Sequence, residues 1–131
     1  MTATTESGVQ TQTRLALARM GALVYRNNVG VAQDQTGRHI RYGLANESAK
    51  QNRHFKSSDL IGAVPVLIQP HHVGQVLGVF GAFECKHPGW HLTDGNERGQ
   101  AQARFIELVS SVGGFAGFVT DPSDLDHIVW R

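Results

Sequence analysis

Residues 59–86 read DLIGAVPVLIQPHHVGQVLGVFGAFECK, and the predicted fold is built around this stretch. It contains two apolar runs, residues 60–69 and 73–85, joined by the tripeptide Pro70-His71-His72. Two apolar runs separated by a short polar turn are typical of two buried strands in a hairpin. The sequence therefore predicts a long hairpin with polar residues at its open end.

Helical periodicity flanks the hairpin on both sides. A helix is predicted over residues 6–20, because polar residues at i, i+4 and i+7 from Glu6 share one face and Gly21 provides a stop. A second helix is predicted over residues 96–112, whose apolar positions recur with a helical period. The pair Gly113-Gly114 then supplies a left-handed cap.

The remaining elements are shorter. They are a strand over 22–30, a DQTG turn at 34–37, a strand over 38–42, a surface loop over 44–56, a strand over 115–119 and a last short helix opened by Asp121-Pro122. This order predicts one α/β domain over residues 1–131, with a mixed central sheet flanked by helices. The helical crossover before residues 115–119 allows a parallel pairing with the hairpin.

The composition excludes several classes of protein. With 131 residues, 40% hydrophobic and 18% charged, the chain fits one folded domain and is too apolar to be disordered. Its longest apolar stretch, residues 60–68, is far shorter than the roughly 20 residues of a membrane helix. The single Cys85 excludes an internal disulfide and a cysteine-based zinc cluster. Because residues 1–12 lack the apolar core of a signal peptide, a soluble cytoplasmic domain is expected.

The formal net charge of +1 conceals an asymmetry between the two parts of the chain. Residues 1–58 carry 8 Lys and Arg against 3 Asp and Glu, whereas residues 59–131 carry 4 against 8. A basic segment indicates a polyanionic partner, although folding can also interleave such charges. Side chains that would neutralise DNA phosphates, or form a solvated loop, are Arg38, Arg41, Lys50, Arg53, His54 and Lys56.

Acidic and basic residues lie at the open end of the predicted hairpin. Asp59 precedes the first strand, and Glu84 and Lys86 close the second with their side chains on one face. An antiparallel pairing would bring Asp59 beside Glu84, and two carboxylates this close favour a divalent cation such as Mg²⁺. Lys86 would then hold or deprotonate a water for attack on phosphorus. The alternative is an ion-paired strand end without chemistry.

Other polar and aromatic residues have simpler interpretations. The spacing of the histidines matches no standard structural zinc site. Cys85 is predicted to be a small buried hydrophobe. Tyr25, Phe83 and Phe105 are predicted to be core aromatics.

The motif Asp59…Glu84-Cys85-Lys86 resembles the PD-(D/E)xK nuclease signature, with Ser58 in place of the usual proline. More specifically, the chain resembles the virus-type replication-repair nuclease (VRR-NUC) family over nearly its whole length. The matching stretches, in order, are Glu6 with Gln10, Tyr25-Arg26-Asn27-Asn28-Val29-Gly30, Tyr42-Gly43-Leu44, Ser57-Ser58-Asp59-Leu60-Ile61-Gly62, Phe83-Glu84-Cys85-Lys86, Gln102-Ala103-Arg104-Phe105 and Gly113-Gly114-Phe115-Ala116.

The resemblance implies a restriction-endonuclease-like core and Mg²⁺- or Mn²⁺-dependent hydrolysis of phosphodiester bonds. It implies that Asp59, Glu84 and the Cys85 backbone carbonyl bind the metal and that Lys86 is the catalytic lysine. Glu6 would be the helix-borne acid, with Gln10 as the alternative, and Gln102 the residue of the second helix, with Gln100 as the alternative. The candidate DNA contacts are Arg26, Asn27, Asn28, Arg38, Arg41, Arg53, Lys56 and Ser58.

Stand-alone members of this family are similar to Holliday-junction resolvases. The resemblance therefore implies a phage-encoded or bacterial homodimer that cuts branched DNA in the cytoplasm. Two alternatives are a nuclease for flaps or ends without junction preference and a non-catalytic DNA-binding domain of the same fold.

Overall fold

The computed structural model describes residues 5–130, which form two compact units. The first comprises residues 5–16 and 24–62, and the second comprises residues 17–23 and 63–130. Within these residues the helices are α1 (Glu6–Arg19), α2 (Ala49–His54), α3 (Glu97–Ser111) and α4 (Leu125–Ile128). The strands are β1 (Leu23–Arg26), β2 (Gly30–Gln33), β3 (His39–Tyr42), β4 (Leu60–Ala63), β5 (Gly81–Cys85) and β6 (Phe115–Val119). The fold is mixed α/β, and none of these helices is long and apolar enough to cross a membrane.

A β-hairpin forms the middle of the first unit. Strands β2 and β3 pair antiparallel, with Gly30 opposite Tyr42 at the open end, and the predicted DQTG sequence makes the turn. Asp34 closes this turn, because its Oδ1 accepts hydrogen bonds from the Thr36 N–H, the Thr36 hydroxyl and the Arg38 N–H. Gly37 has a φ of 85°, a left-handed conformation in which glycine is favoured. The predicted strand over 22–30 is shorter than expected, since the chain leaves β1 at Arg26 and starts β2 at Gly30.

The prediction of a structureless loop over residues 44–56 is wrong, because this segment contains α2. The helix has six polar or small residues and therefore shows no apolar period. It forms from its cap: the Ser48 hydroxyl accepts from the Gln51 N–H at 3.0 Å, while Gln51 Oε1 accepts from the Glu47 N–H at 2.7 Å. The Ser-x-x-Gln spacing is the sequence signal that indicates this helix start.

The predicted long hairpin over residues 59–86 is also wrong. Its two runs form strands only at their outer ends, and these strands have different partners: β4 pairs with β1, and β5 pairs with β6. Pro65 and Pro70 lack the N–H that a ladder needs, and glycine at 74 and 78 weakens strand structure further. Apolar character along the runs therefore does not lead to pairing between them in this chain.

A parallel β-α-β unit organises the second unit, as the helical crossover predicted. Strands β5 and β6 pair in parallel register from Gly81 opposite Phe115 to Cys85 opposite Val119. The connecting helix α3 starts at Asn96, whose side chain accepts from the Gly99 N–H at 2.9 Å. It ends at the predicted glycine pair, with Gly113 at a φ of 86°.

Close packing in the second unit is concentrated where α3 and α4 meet β6. Val109 of α3 is fully buried and packs against Gly114. A Cβ on Gly117 would lie 2.7 Å from Ile128 Cδ1, so the Ile128 side chain of α4 would have to shift for a larger residue there. The rings of Phe115 and Trp130 make an edge-to-face contact with centroids 5.3 Å apart.

The prediction that Tyr25, Phe83 and Phe105 are core aromatics is wrong, because all three side chains are more than a third exposed. The buried hydrophobic residues of the described chain are Ala63 and Val109.

We predict that Gly114→Ala lowers the free energy of unfolding by about 1–3 kcal/mol, as overpacking does. A methyl group at this position would lie 2.6 Å from Val109 Cγ1 and 2.9 Å from the Phe80 carbonyl oxygen. The backbone at Phe80 can move away only at a cost in free energy. Gly95→Ala is the matched control, because nothing lies within 4 Å of its Cβ. Urea denaturation of both variants measures the difference, and equal loss in the two would contradict the packing argument.

We predict that the β2–β3 turn weakens in acid. The hydrogen bonds from the Thr36 hydroxyl and, next, the Arg38 N–H lower the pKa of Asp34 below its ordinary value. Stability from this carboxylate is therefore present above the unfolded-state pKa and is lost as pH falls through the lower folded-state pKa. The Thr36 and Arg38 amide shifts in NMR spectra should titrate with a midpoint below about 3.9. A midpoint at or above that value, or the same transition in Asp34→Asn, would refute the assignment.

Candidate active site

Three of the predicted catalytic residues meet in the second unit, at the end of β5. The Gln102 side chain on α3 donates from Nε2 to Glu84 Oε1 at 2.9 Å. Lys86 Nζ lies 3.7 Å from the same carboxylate oxygen. Glu84 and Lys86 share a face because residues i and i+2 of a strand do, and the parallel crossover brings α3 over that face. The amide of Gln102 and the ammonium of Lys86 therefore converge on one carboxylate oxygen of Glu84.

Trp90 positions the Lys86 ammonium and was missed from the sequence. Lys86 Nζ lies 5.1 Å from the Trp90 ring centroid, within the range of a cation–π contact. The Trp90 ring rests in turn on Phe118, with centroids 4.7 Å apart. A turn brings Trp90 back to Lys86. The backbone N–H of Trp90 donates to the His87 carbonyl, and Gly89 has a φ of 82°. The Pro-Gly pair of residues 88–89 is the sequence signal for this turn.

Two oxygen atoms near the end of β5, on Gln102 and on the Cys85 backbone, are without a described partner or lie on the open edge of the strand. Gln102 Oε1 is buried and has no hydrogen-bond partner among residues 5–130, which normally costs free energy and calls for a reason. The bonds from the Phe115 N–H to the Phe80 carbonyl and from the Lys86 N–H to the Val119 carbonyl show which edge of β5 faces β6. Because backbone groups alternate, the Cys85 carbonyl lies on the other edge. Mg²⁺ prefers such oxygen ligands, with one or two carboxylates among them.

The side chain of Cys85 contradicts its prediction, because the thiol is exposed rather than buried. In β5 the half-buried residues are Ala82 and Glu84, while Gly81, Phe83 and Cys85 are exposed. The predicted alternation of side chains along β5 is confirmed. The prediction that the Cys85 face is covered is wrong, since α3 packs over the Glu84 face. The proposed role of Cys85 uses only its carbonyl and is unaffected.

A cavity of about 480 Å³ extends from Glu84 along α3. Phe83, Phe105 and small aliphatic side chains form most of its wall, and Gln102 and Arg98 contribute polar groups. Its volume is in the range of small-molecule and cofactor pockets. Arg98 was not among the site residues predicted from the sequence. Its position one helical turn before Gln102 is the sequence signal that places it on the same face of α3.

The other predicted catalytic residues belong to the first unit. Asp59 is exposed, and its backbone carbonyl accepts from the Asn27 N–H at 2.8 Å. Glu6 is exposed in the first turn of α1, while Gln10, one turn later, is half-buried. Residues 5–130 contain no group of three or more His, Cys, Asp or Glu side chains that could hold a metal ion.

Asn27 organises the loops that lead to Asp59. Its Nδ2 donates to the Ser57 hydroxyl at 2.8 Å and to the Ser58 carbonyl at 2.9 Å. Its Oδ1 accepts from the Leu44 N–H at 3.0 Å, and the Ser57 hydroxyl donates to the Leu44 carbonyl at 2.6 Å. The side chain predicted to contact DNA thus already has intrachain partners on both its amide nitrogen and its oxygen.

Several predicted DNA contacts also have partners within the first unit. Arg38 pairs with Asp34 at 3.2 Å, and Arg41 donates to the buried Asn46, whose amide donates to the Gly30 and Tyr42 carbonyls. Lys56 donates to Asn52 one turn back in the chain. The exposed members of the set are Arg26, Asn28, Arg38, Arg53, Lys56 and Ser58.

Comparisons with known protein families, with curated proteins and with solved structures each give no match to this chain. Roles for the site residues are therefore proposed below from their geometry and from the motif resemblance. Within that geometry, Glu84, Lys86 and Gln102 are in direct contact as a group.

We predict opposite results for the neighbours Asn27 and Asn28. Asn27→Ala removes a side chain with three hydrogen bonds and should lower the free energy of unfolding by about 1–3 kcal/mol. Asn28 is exposed, so Asn28→Ala should change stability by no more than about 0.5 kcal/mol. Chemical denaturation of both variants tests this, and similar stability of the two would contradict a structural role for Asn27.

Proposed function

We propose that the chain is a metal-dependent DNA endonuclease of restriction-endonuclease-like fold. The observation that carries the proposal is the contact of Lys86 and Gln102 with Glu84 Oε1, at 3.7 and 2.9 Å. A carboxylate–lysine pair at the end of a strand, supported by an amide from the following helix, offers groups that metal-dependent phosphodiester hydrolysis can use. The resemblance of the surrounding motifs to VRR-NUC nucleases supports the same reaction.

Lys86 is proposed to act directly on the reacting phosphate. Its ammonium has three N–H donors and no acceptor, so it can contact a phosphate oxygen while holding the attacking water. Its side chain is largely buried, and a charge in such a site acts more strongly on a nearby anion than it does in water. The Trp90 ring and the Glu84 carboxylate hold the ammonium from two sides.

Glu84 and Asp59 are the proposed carboxylate ligands of Mg²⁺ or Mn²⁺, together with the Cys85 carbonyl. The cation, when bound, would offset the negative charge that develops on the phosphate during attack. Gln102 positions Glu84 by donating to one carboxylate oxygen. Glu6, or Gln10 in its place, is proposed as the further polar group of the site.

The proposed substrate is branched DNA, and a Holliday junction is the preferred form. Exposed Arg26, Asn28, Arg53 and Lys56 of the first unit supply the cationic and amide groups for phosphate contacts. A homodimer suits this substrate, because a two-fold axis presents two equivalent sites to two strands.

We predict that the purified protein cuts labelled DNA when Mg²⁺ or Mn²⁺ is supplied. The substrates are a four-way junction, a flap, a nicked duplex and a linear duplex of the same sequence. Asp59→Ala, Glu84→Gln and Lys86→Ala should bind the junction and cut it at least about 100-fold more slowly, because each removes a group that acts on the reacting phosphate. Asp94→Ala and Glu107→Gln are the matched controls, since both carboxylates are exposed and lie outside the proposed site.

The reaction products separate the alternatives. Paired symmetrical nicks in the junction with little cutting of flaps indicate a resolvase. Preferential cutting of flaps or ends would make those structures, rather than the junction, the substrate. If the wild-type protein cuts no DNA with either metal, or if Lys86→Ala cuts at the wild-type rate, the nuclease proposal fails.

A further inference from the structure

The cavity beside Glu84 is built by one face of α3. Arg98, Gln102 and Phe105 stand at positions i, i+4 and i+7, so they share one stripe of this helix. Ala82 and Glu84 form the opposite wall from β5. All of these residues belong to the second unit, and the cavity of about 480 Å³ therefore adjoins the carboxylate to which Gln102 donates.

A cationic group and apolar groups share the helical wall of this cavity. Arg98 is exposed, and within residues 5–130 its guanidinium has no hydrogen-bond or ion-pair partner. Ala101, Phe105 and Ile106 supply the apolar part of the wall, and Phe105 exposes 38% of its surface. The cavity therefore presents an aromatic ring, an aliphatic surface and a guanidinium to one ligand.

These groups match the parts of a nucleotide. The guanidinium of an arginine binds phosphate oxygens through several N–H donors, and aromatic side chains stack with bases of any sequence. A volume near 480 Å³ lies in the range of pockets that hold one small ligand, so the cavity suits a single nucleotide rather than a base pair. The ligand chemistry that fits is a base with its phosphate.

We propose that this cavity takes one nucleotide of the DNA strand, next to the phosphate that is cut. The proposal rests on the proposed function, which puts the scissile phosphate at Glu84 and Lys86. Arg98 lies one helical turn from Gln102, about 6 Å along α3, so it binds a neighbouring phosphate of the same strand. The base of the intervening nucleotide packs on Phe105.

A nucleotide held in this way has left the base stack of the duplex. Unstacking and unpairing cost free energy, and the cost is least for a base that is mismatched or already single-stranded. Branch points and flaps offer such nucleotides, whereas a continuous duplex does not. The cavity therefore favours cutting beside an interruption in the duplex.

The first experiment detects the unstacked base without any cutting. A four-way junction carries the fluorescent base analogue 2-aminopurine at one position at a time, and the protein is added in EDTA. Emission of this analogue rises when it leaves the stack. The expected result is a rise at the position next to the phosphate that the protein cuts when Mg²⁺ is supplied.

Cavity variants should lose this signal. Phe105→Ala should lower the rise by at least about half and weaken junction binding about 5-fold or more, because it removes the stacking ring. Arg98→Gln, at an exposed position, should lower the signal likewise and reduce the salt slope of binding by about one. The matched control is Arg104→Gln, an exposed arginine of α3 outside the cavity wall, which should keep the full rise. Circular dichroism checks that each variant is folded.

A free nucleotide is the second source of the same chemistry. Deoxyadenosine monophosphate should bind the wild-type protein at least about 100-fold more weakly than the junction does, because the strand adds further phosphate contacts. Tighter binding of the free nucleotide than of the junction would show a pocket for metabolites and would overturn the proposal.

The fluorescence and cutting experiments separate this proposal from the nuclease proposal. A protein that cuts the junction but raises 2-aminopurine emission at no position would overturn the cavity proposal and leave the nuclease standing. An unchanged rise in both Phe105→Ala and Arg98→Gln would overturn it as well. A rise that depends on both residues in a protein that cuts nothing would support nucleotide binding in the cavity while the nuclease proposal fails.

Discussion

The parallel pairing of β5 with β6 is the constraint on which the second unit depends. Parallel neighbours cannot be joined by a tight turn, so the chain needs a crossover, and α3 provides it. At the end of the crossover, Gly114 lets the end of α3 approach the backbone at Phe80 closely. One consequence is chemical: the helix that completes the crossover also delivers Gln102 to Glu84. The helical connection between β5 and β6 therefore produces both the fold of the second unit and the contacts of the candidate site.

The first unit is held together by a different kind of interaction. Asn27, Asn46 and Asp34 each bond to backbone groups from separate segments or turns, and these bonds replace the large apolar core that a domain usually has. Such bonds are directional, so they specify loop geometry more sharply than apolar contact does. They hold Ser57 and Ser58 at the entrance to β4 and so define the backbone on which Asp59 is presented.

Much of the second unit could be predicted from the sequence because its signals are local. The apolar period of α3, the glycine pair after it and the Asp-Pro start of the last helical turns each indicate one structure. Two of the candidate site contacts follow from this, since i and i+2 on β5 share a face and α3 covers that face. The predicted common face of Glu84 and Lys86 is confirmed by their 3.7 Å contact, whereas the hairpin that was to bring Asp59 beside Glu84 does not form.

Most of the errors concern the partners of elements rather than the elements themselves. An apolar run predicts burial but does not say what covers it, so residues 60–85 were interpreted as a hairpin that does not form. Alternation along β5 predicted two faces correctly and chose the wrong one for Cys85. The short helix α2 has no apolar stripe and depends on a single capped turn, which a search for periodicity overlooks. Trp90 was missed because its contact with Lys86 depends on the turn between them.

The contact between Trp90 and Lys86 has an optical consequence. Indole emission depends on the charges and polarity around the ring, and the Trp90 ring is held between an ammonium and the ring of Phe118. The other tryptophan, Trp130, is mostly exposed and lies against Phe115. A Trp130→Phe protein would therefore carry a single tryptophan, next to Lys86. Its emission would follow occupancy of the site in real time, without a label and without turnover.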